Sequence, residues 1–192
     1  MKLLKAASIA EEMVEILRPH SKIINIAGSI RREKPEVKDI EIVCSPKRIY
    51  QPTLFGNSKC YTADCFKSAI QAVPGKILKG QSGGRYLQIK LDKGINLDLF
   101  LPQDEDYYRQ YATRTGSGEY SRIILAQSWN RKGWVGTPDG LRRMEYCSRL
   151  YEDKNIWRCY MPDPEMPTVW QSEEEFFDWL NLKWIAPKYR NV

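Results

Sequence analysis

The spacing of hydrophobic residues changes several times along this chain, and each change marks an element. Near the start the apolar positions are Leu3, Leu4, Ala7, Ala10, Met13, Val14 and Leu17. Steps of three and four predict a packing helix over about residues 6–18, stopped at Pro19. Residues 22–27 are rich in β-branched side chains and read as a strand. In residues 38–44, acids alternate with aliphatics, which reads as a second strand. Residues 45–62 read as loop because they hold Pro46, Pro52, Gly56 and Asn57. A helix is expected over 63–73, then strands at 76–79, 85–91 and 95–101. Gly80, Gly83-Gly84 and Asp92-Lys93-Gly94 separate those strands. Helices follow at 103–111 and 119–131.

Beyond Gly133 the pattern changes to short strand-like pieces at 133–135, 141–147 and 155–160. Pro162, Pro164 and Pro167 predict a loop. Residues 172–180 read as a helix capped by Ser172, with Glu175 completing a capping box and Glu173–Glu175 favouring the positive end of the helix dipole. There are no internal repeats. The change of pattern near residues 112–117 suggests two domains, 1–112 and 113–192. The fold class is α+β.

Composition narrows the picture. A chain of 192 residues with 42% hydrophobic content fills a real core. Its net charge of +6 fits a polyanionic partner such as nucleic acid, although a merely soluble basic protein has the same balance. Eleven Tyr and six Trp offer faces on which bases stack. Five cysteines without a regular framework and a single histidine, His20, argue against a zinc site. No signal peptide or apolar run of membrane length is present, so the expected partners include no membrane and the expected location is the cytoplasm.

The chemistry concentrates in two short stretches. Gly28-Ser29-Ile30-Arg31-Arg32 follows the first strand. Gly28 permits close approach of backbone to a ligand. Ser29 offers a hydroxyl and an N–H to a phosphate oxygen, and Arg32 a charged fork that fits phosphate. On the second strand, Asp39 and Glu41 share one face and Ile40 and Ile42 the other. The two carboxylates lie about 7 Å apart, where both are ionised together most readily beside a divalent cation. Asp98, opposite the stripe of Leu97, Leu99 and Leu101, would complete a three-acid site if its strand lies beside the second. Three such acids suit two Mg²⁺ ions, with Mn²⁺ as a substitute. The ordinary alternative is an edge strand with a solvated acidic face and a basic surface turn.

Thr115-Gly116-Ser117 precedes a helix carrying Arg122 and Arg131, by itself a helix entry with a serine cap. The order of motifs says more. Gly-Ser-x-Arg-Arg is followed by Asp-x-Glu, a later Asp on a strand, Thr-Gly-Ser, residues 172–180 (Ser-Glu-Glu-Glu-Phe-Phe-Asp-Trp-Leu) and Pro187-x-x-Arg190. Over about residues 8–191 this resembles the palm and final nucleotide-selecting subdomain of the X-family (polymerase beta-like) DNA polymerases. The resemblance implies a nucleotidyltransferase palm, a mixed sheet with helices on one face, and then a small α/β C-terminal subdomain. It implies metal binding and catalysis by Asp39, Glu41 and Asp98, and nucleotide binding by Gly28, Ser29, Arg32, Arg114, Thr115, Gly116 and Ser117. Arg122 falls where a basic side chain meets nucleic acid. The Gly116–Ser117 bond is a candidate for a cis peptide. The implied activity is gap-filling DNA polymerisation, on primer-template or gapped DNA with a dNTP or NTP, by a monomer.

Several positions depart from that pattern. Glu41 stands where the polymerases have Asp, and Asp-x-Glu is similar to antibiotic nucleotidyltransferases of the same superfamily. Action on RNA ends, a protein or a small molecule is therefore the alternative. Thr113 and Arg114 replace two aromatics against the sugar, which implies weak discrimination between ribo- and deoxyribonucleotides. Asn96 and Leu125 replace two arginines near the primer terminus and nascent pair, which implies low fidelity. The chain starts at the palm, so a lyase domain and a helix-hairpin-helix subdomain are expected to be absent, as in the reduced form the family takes in African swine fever virus. Duplex grip would then fall to surface cations, with Arg142, Arg143, Arg149, Lys154 and Arg158 as candidates.

Overall fold

A computed structural model describes residues 1–52, 58–151, 154–161 and 165–191. The chain divides into two compact units, Met1–Pro102 and Gln103–Val192.

The first unit opens with helix α1 (Leu3–Leu17), which buries Ala6, Ile9, Ala10, Met13, Val14 and Leu17. Of the expected stripe, Ala10, Met13, Val14 and Leu17 are buried, whereas Leu4 is exposed and Leu3 and Ala7 are half-buried, because the first turns face the core through Ala6 and Ile9 instead. Strand β1 (Ser21–Ile26) leads into one helical turn, α2 (Gly28–Arg31), and then β2 (Asp39–Pro46). Strands β3 (Arg48–Pro52) and β4 (Ser58–Thr62) form an antiparallel hairpin where the sequence reading expected loop. That expectation weighted the prolines. Pro52 instead closes a strand of extended-favouring residues, Ile49 and Tyr50, and residues 53–57, with the expected Gly56 and Asn57, lie outside the described residues. The hairpin is exposed at Ile49 and Tyr50, so no alternation of burial advertised it.

Helix α3 (Asp64–Ala72) precedes β5 (Gly75–Gly80), β6 (Tyr86–Leu91) and β7 (Asn96–Phe100). The five-stranded sheet runs β1-β2-β7-β6-β5, with β2 and β7 parallel and every other neighbouring pair antiparallel. Ile40, Ile42, Leu87, Ile89, Leu97 and Leu99 are buried with α1 and with Phe66, Ala69 and Ile70 of α3. One sheet face thus carries the core, and the period of two sends Asp39, Glu41, Asp98, Tyr86 and Gln88 to the other.

The second unit begins with a 3₁₀ turn and α4 (Tyr107–Thr115), so the sequence-expected boundary at residue 112 falls inside a helix. One helical run follows: α5 (Gly118–Tyr120), a π-helical stretch (Ser121–Ala126) and α6 (Gln127–Arg131). Two hairpins, β8 (Trp134–Thr137) with β9 (Gly140–Arg143) and β10 (Cys147–Tyr151) with β11 (Lys154–Cys159), precede α7 (Glu173–Trp179). Pro162 and Pro164 of the expected loop lie outside the described residues. Ala112, Tyr120, Leu125, Trp129, Trp134, Leu141, Trp170, Phe176, Phe177 and Leu180 make the core. Ser172 caps α7 by accepting from Glu175 N–H at 3.1 Å. Glu175 Oε2 reaches back to Gln171 N–H, one residue before the cap. Among the described residues no helix is long and apolar enough to cross a membrane.

Candidate active site

Parallel pairing of β2 with β7 sets Asp39 opposite Asn96 and Glu41 opposite Asp98. The three acids therefore occupy adjacent positions on one sheet face, although Asp98 lies 57 positions beyond Glu41 in the chain. Asp39 is half-buried, and burial and then the charge of Asp98 push its carboxyl above the ordinary value. Asp98 is held from the next strand: Tyr86 Oη donates to Asp98 Oδ1 at 2.7 Å and Gln88 Nε2 to the same oxygen at 2.9 Å.

Gly28 is dictated by its surroundings. Its φ is +61°, and a Cβ there would lie 2.0 Å from Glu41 Oε2 and 2.8 Å from Glu41 Cδ. The Glu41 carboxylate thus lies directly against the Gly28 backbone, and the extra methylene of Glu uses the space that a side chain at position 28 would fill. Ala27 N–H donates to Glu41 carbonyl at 2.8 Å, which ties the turn to the strand. In the α2 turn, Ser29 Oγ is shielded from solvent and has no hydrogen-bond partner among the described residues. Burial lowers the Arg32 guanidinium's affinity for its proton, while Glu41 and Asp39 oppose that shift. Ser29, Arg32, Lys34, Pro35, Glu36, Lys38, Asp39 and Glu41 line an open cavity of about 560 Å³.

Among the described residues no three His, Cys, Asp or Glu side chains converge as a metal cage. Side-chain direction, not register, gives the reason. Tyr86 and Gln88 draw Asp98 toward β6, while Glu41 lies on the β1 side against Gly28. The donor set nonetheless suits Mg²⁺: all oxygen, carboxylate-rich, and beside a buried hydroxyl left for a ligand.

In the second unit Thr115 is buried at the end of α4. A Cβ at Gly116 would meet Tyr120 Cδ1 at 2.6 Å. Ser117 Oγ accepts from Tyr120 N–H at 3.0 Å, and Ser117 N–H donates to the Arg190 carbonyl at 2.9 Å. Among the described residues no peptide bond is cis, which corrects the expectation for Gly116–Ser117. With the bond trans, both residues are extended and the Ser117 N–H meets Arg190 while its hydroxyl caps α5. Arg190 itself is buried, paired with Glu173 at 2.7 and 2.8 Å, and stacked over Phe177 and Trp184. Glu173 was expected only as a first-turn acid. Its partner lies seventeen residues away, beyond any local rule.

Arg114 is half-buried and engaged, and Arg122 is exposed on the π-helical stretch. Leu125 is core. Of the surface cations, Arg142 is buried, so it drops out as a duplex contact; its Nη1 donates to the Leu141 carbonyl. Arg143 is paired with Glu165 through two 2.8 Å bonds and lies 4.4 Å over Trp134. Arg149 and Arg158 are exposed, and the Lys154 side chain lies outside the described residues.

Solved structures share the fold. Leishmania infantum polymerase beta in a ternary gap complex is similar with a TM-score of 0.69 and 16% identity, covering 99% of this chain and 70% of that one. The same enzyme in a ternary P/T complex gives 0.67 and 16%, covering 100% and 77%. The fold is similar to that of polymerase beta. No family model matches the chain, and no curated protein matches its sequence. The polymerase beta likeness therefore stands on the path of the backbone, in a chain whose residues differ at about five positions in six.

Proposed function

We propose that the chain is a DNA-directed DNA polymerase that adds nucleotides to a primer 3′-hydroxyl, of the gap-filling repair type. The observation that carries this is the register pairing of Glu41 with Asp98, beside Asp39 and within reach of the Gly28–Arg32 turn. Ser29 Oγ and the Arg32 guanidinium would bind the triphosphate, and Gly28 lets backbone approach it. Asp39, Glu41 and Asp98 would hold two Mg²⁺ ions. Ions bound there supply Lewis acidity to the attacking hydroxyl and offset charge on the leaving pyrophosphate. Asp98, kept in orientation by Tyr86 and Gln88, stands beside that hydroxyl and promotes its deprotonation. What the residues contribute is mostly positioning and charge.

Arg114, Thr115, Gly116 and Ser117 are proposed nucleotide contacts, and Arg122 a nucleic-acid contact. Thr113 and Arg114, in place of aromatics, support weak sugar discrimination. A second reading, transfer to an RNA end, a protein or a small molecule, is favoured by Glu41 alone. The test uses the whole chain, Mg²⁺, a labelled gapped duplex and each dNTP or NTP separately. Template-matched addition with comparable use of both sugars is the expected result. Untemplated addition, or none on DNA, would replace this reading with the second.

A further inference from the structure

Residues that pair in register form rows across the sheet. One row runs Glu41, Asp98, Gln88, Lys79 over strands β2, β7, β6 and β5. The next runs Asp39, Asn96, Lys90, Lys76. All belong to the carboxylate face, because their strand neighbours Ile40, Leu97 and Ile89 are buried in the core. Lys76 and Lys79 are three apart, and in a regular strand they would point to opposite faces. The β5–β6 register shifts between Ile77 and Lys79, which leaves Leu78 as an extra residue and returns Lys79 to the face of Lys76. Lys76, Lys79 and Lys90 are all exposed.

Each strand interval is about 4.8 Å, so Lys90 and Lys76 stand about 10 and 15 Å from Asp39 across the row. The functional groups then follow a fixed order over the sheet: phosphate cradle beside β1 and β2, acids on β2 and β7, Tyr86 and Gln88 on β6, lysines on β6 and β5. A triphosphate at Ser29 and Arg32 lies on one side of the acids and the lysines on the other. Lysines on an edge strand also discourage pairing with another chain. That role does not account for Lys90, which is on an interior strand.

We propose that Lys76, Lys79 and Lys90 bind the phosphodiester backbone of the acceptor strand, whose 3′-end lies at Asp98. This rests on the nucleotidyl-transfer reading and makes it more specific, since a small-molecule acceptor would have no phosphates to place on such a strip.

The test compares the whole wild-type chain with the triple variants Lys76→Ala/Lys79→Ala/Lys90→Ala and Lys76→Arg/Lys79→Arg/Lys90→Arg. Fluorescein-labelled single-stranded DNA, the matching RNA and a gapped duplex are titrated over a range of salt, with thermal melting to establish that the variants fold. The alanine variant should lose roughly 10- to 100-fold in affinity at low salt, and its log K against log salt slope should fall by about 2 to 3. The arginine variant should restore both for DNA or RNA. Equal affinity and slope in wild type and a folded alanine variant would overturn the proposal and leave the nucleotidyl-transfer reading standing. Weakened binding by the alanine variant, in a wild type that adds no nucleotide, would uphold the strip and sink that reading. A wild-type chain that binds none of the three probes would overturn both.

Discussion

Two Gly-Ser pairs in this molecule have the same local grammar and opposite surroundings. At Gly28-Ser29 the glycine has a positive φ and is pressed by a carboxylate, and the serine hydroxyl is buried with no hydrogen-bond partner among the described residues. At Gly116-Ser117 the hydroxyl caps a helix and the N–H meets the Arg190 carbonyl, on a residue fixed by a buried ion pair. Their contrast separates chemistry from architecture. A buried polar group left unsatisfied costs free energy in the resting protein and implies a ligand, whereas a saturated one holds the chain in place.

The largest effect expected from breaking this contrast is at the saturated end. Glu173→Ala should cost about 3–5 kcal/mol in urea unfolding, because it leaves the Arg190 charge buried alone. Replacing both partners by Met should recover much of that. Unchanged stability with lost activity would instead move Glu173 into the chemistry. Gly28→Ala comes next, at about 1–3 kcal/mol, since alanine meets both the positive φ and the Glu41 carboxylate. Adding Glu41→Asp should return part of the stability by withdrawing the oxygen; no recovery would mean the contact is not the cause.

The serines give a smaller, matched pair. Ser117→Ala removes a cap and should cost about 1 kcal/mol. Ser29→Ala removes no hydrogen bond seen in the protein, so its unfolding midpoint should stay in place while KM for the nucleotide rises. The reverse pattern would cancel the contrast. The smallest effect concerns Asp39. Its folded-state pKa is raised above 3.8, so the folded chain holds more protons between that value and the raised one, and stability falls as pH climbs through the window. Without divalent metal, Asp39→Asn should therefore be the more stable chain at neutral pH, with the gain vanishing below pH 3.8. Melting temperatures across that range check it, and a less stable Asn variant at neutral pH would contradict it.

Much of the first unit was legible in the sequence. The last turns of α1, from Ala10 to Leu17, and the alternation in β2 and β7 are local patterns, and their buried faces followed from them. What sequence could not supply was register. Tyr86 and Gln88 become partners of Asp98 only when β6 lies antiparallel to β7, and no short-range rule selects that pairing. The β3–β4 hairpin gave no apolar alternation to read, and β3 is exposed at Ile49 and Tyr50. Arg142, a candidate for duplex grip by residue type, is buried. Its burial in the second unit depends on how β9 packs there, and Arg190 shows the same limit, since only its long-range pairing with Glu173 explains a buried arginine.

Asp98 is the residue on which the proposed chemistry turns. The measurement is single-nucleotide addition by the whole chain to a gapped duplex with Mg²⁺, comparing wild type with Asp98→Ala at matched folding. Wild type should add the template-matched nucleotide, and the variant should be slower by about a hundred- to a thousandfold, the scale of losing a group that stabilises transition-state charge. Addition by Asp98→Ala at a rate close to wild type would contradict the claim that this sheet face carries the chemistry.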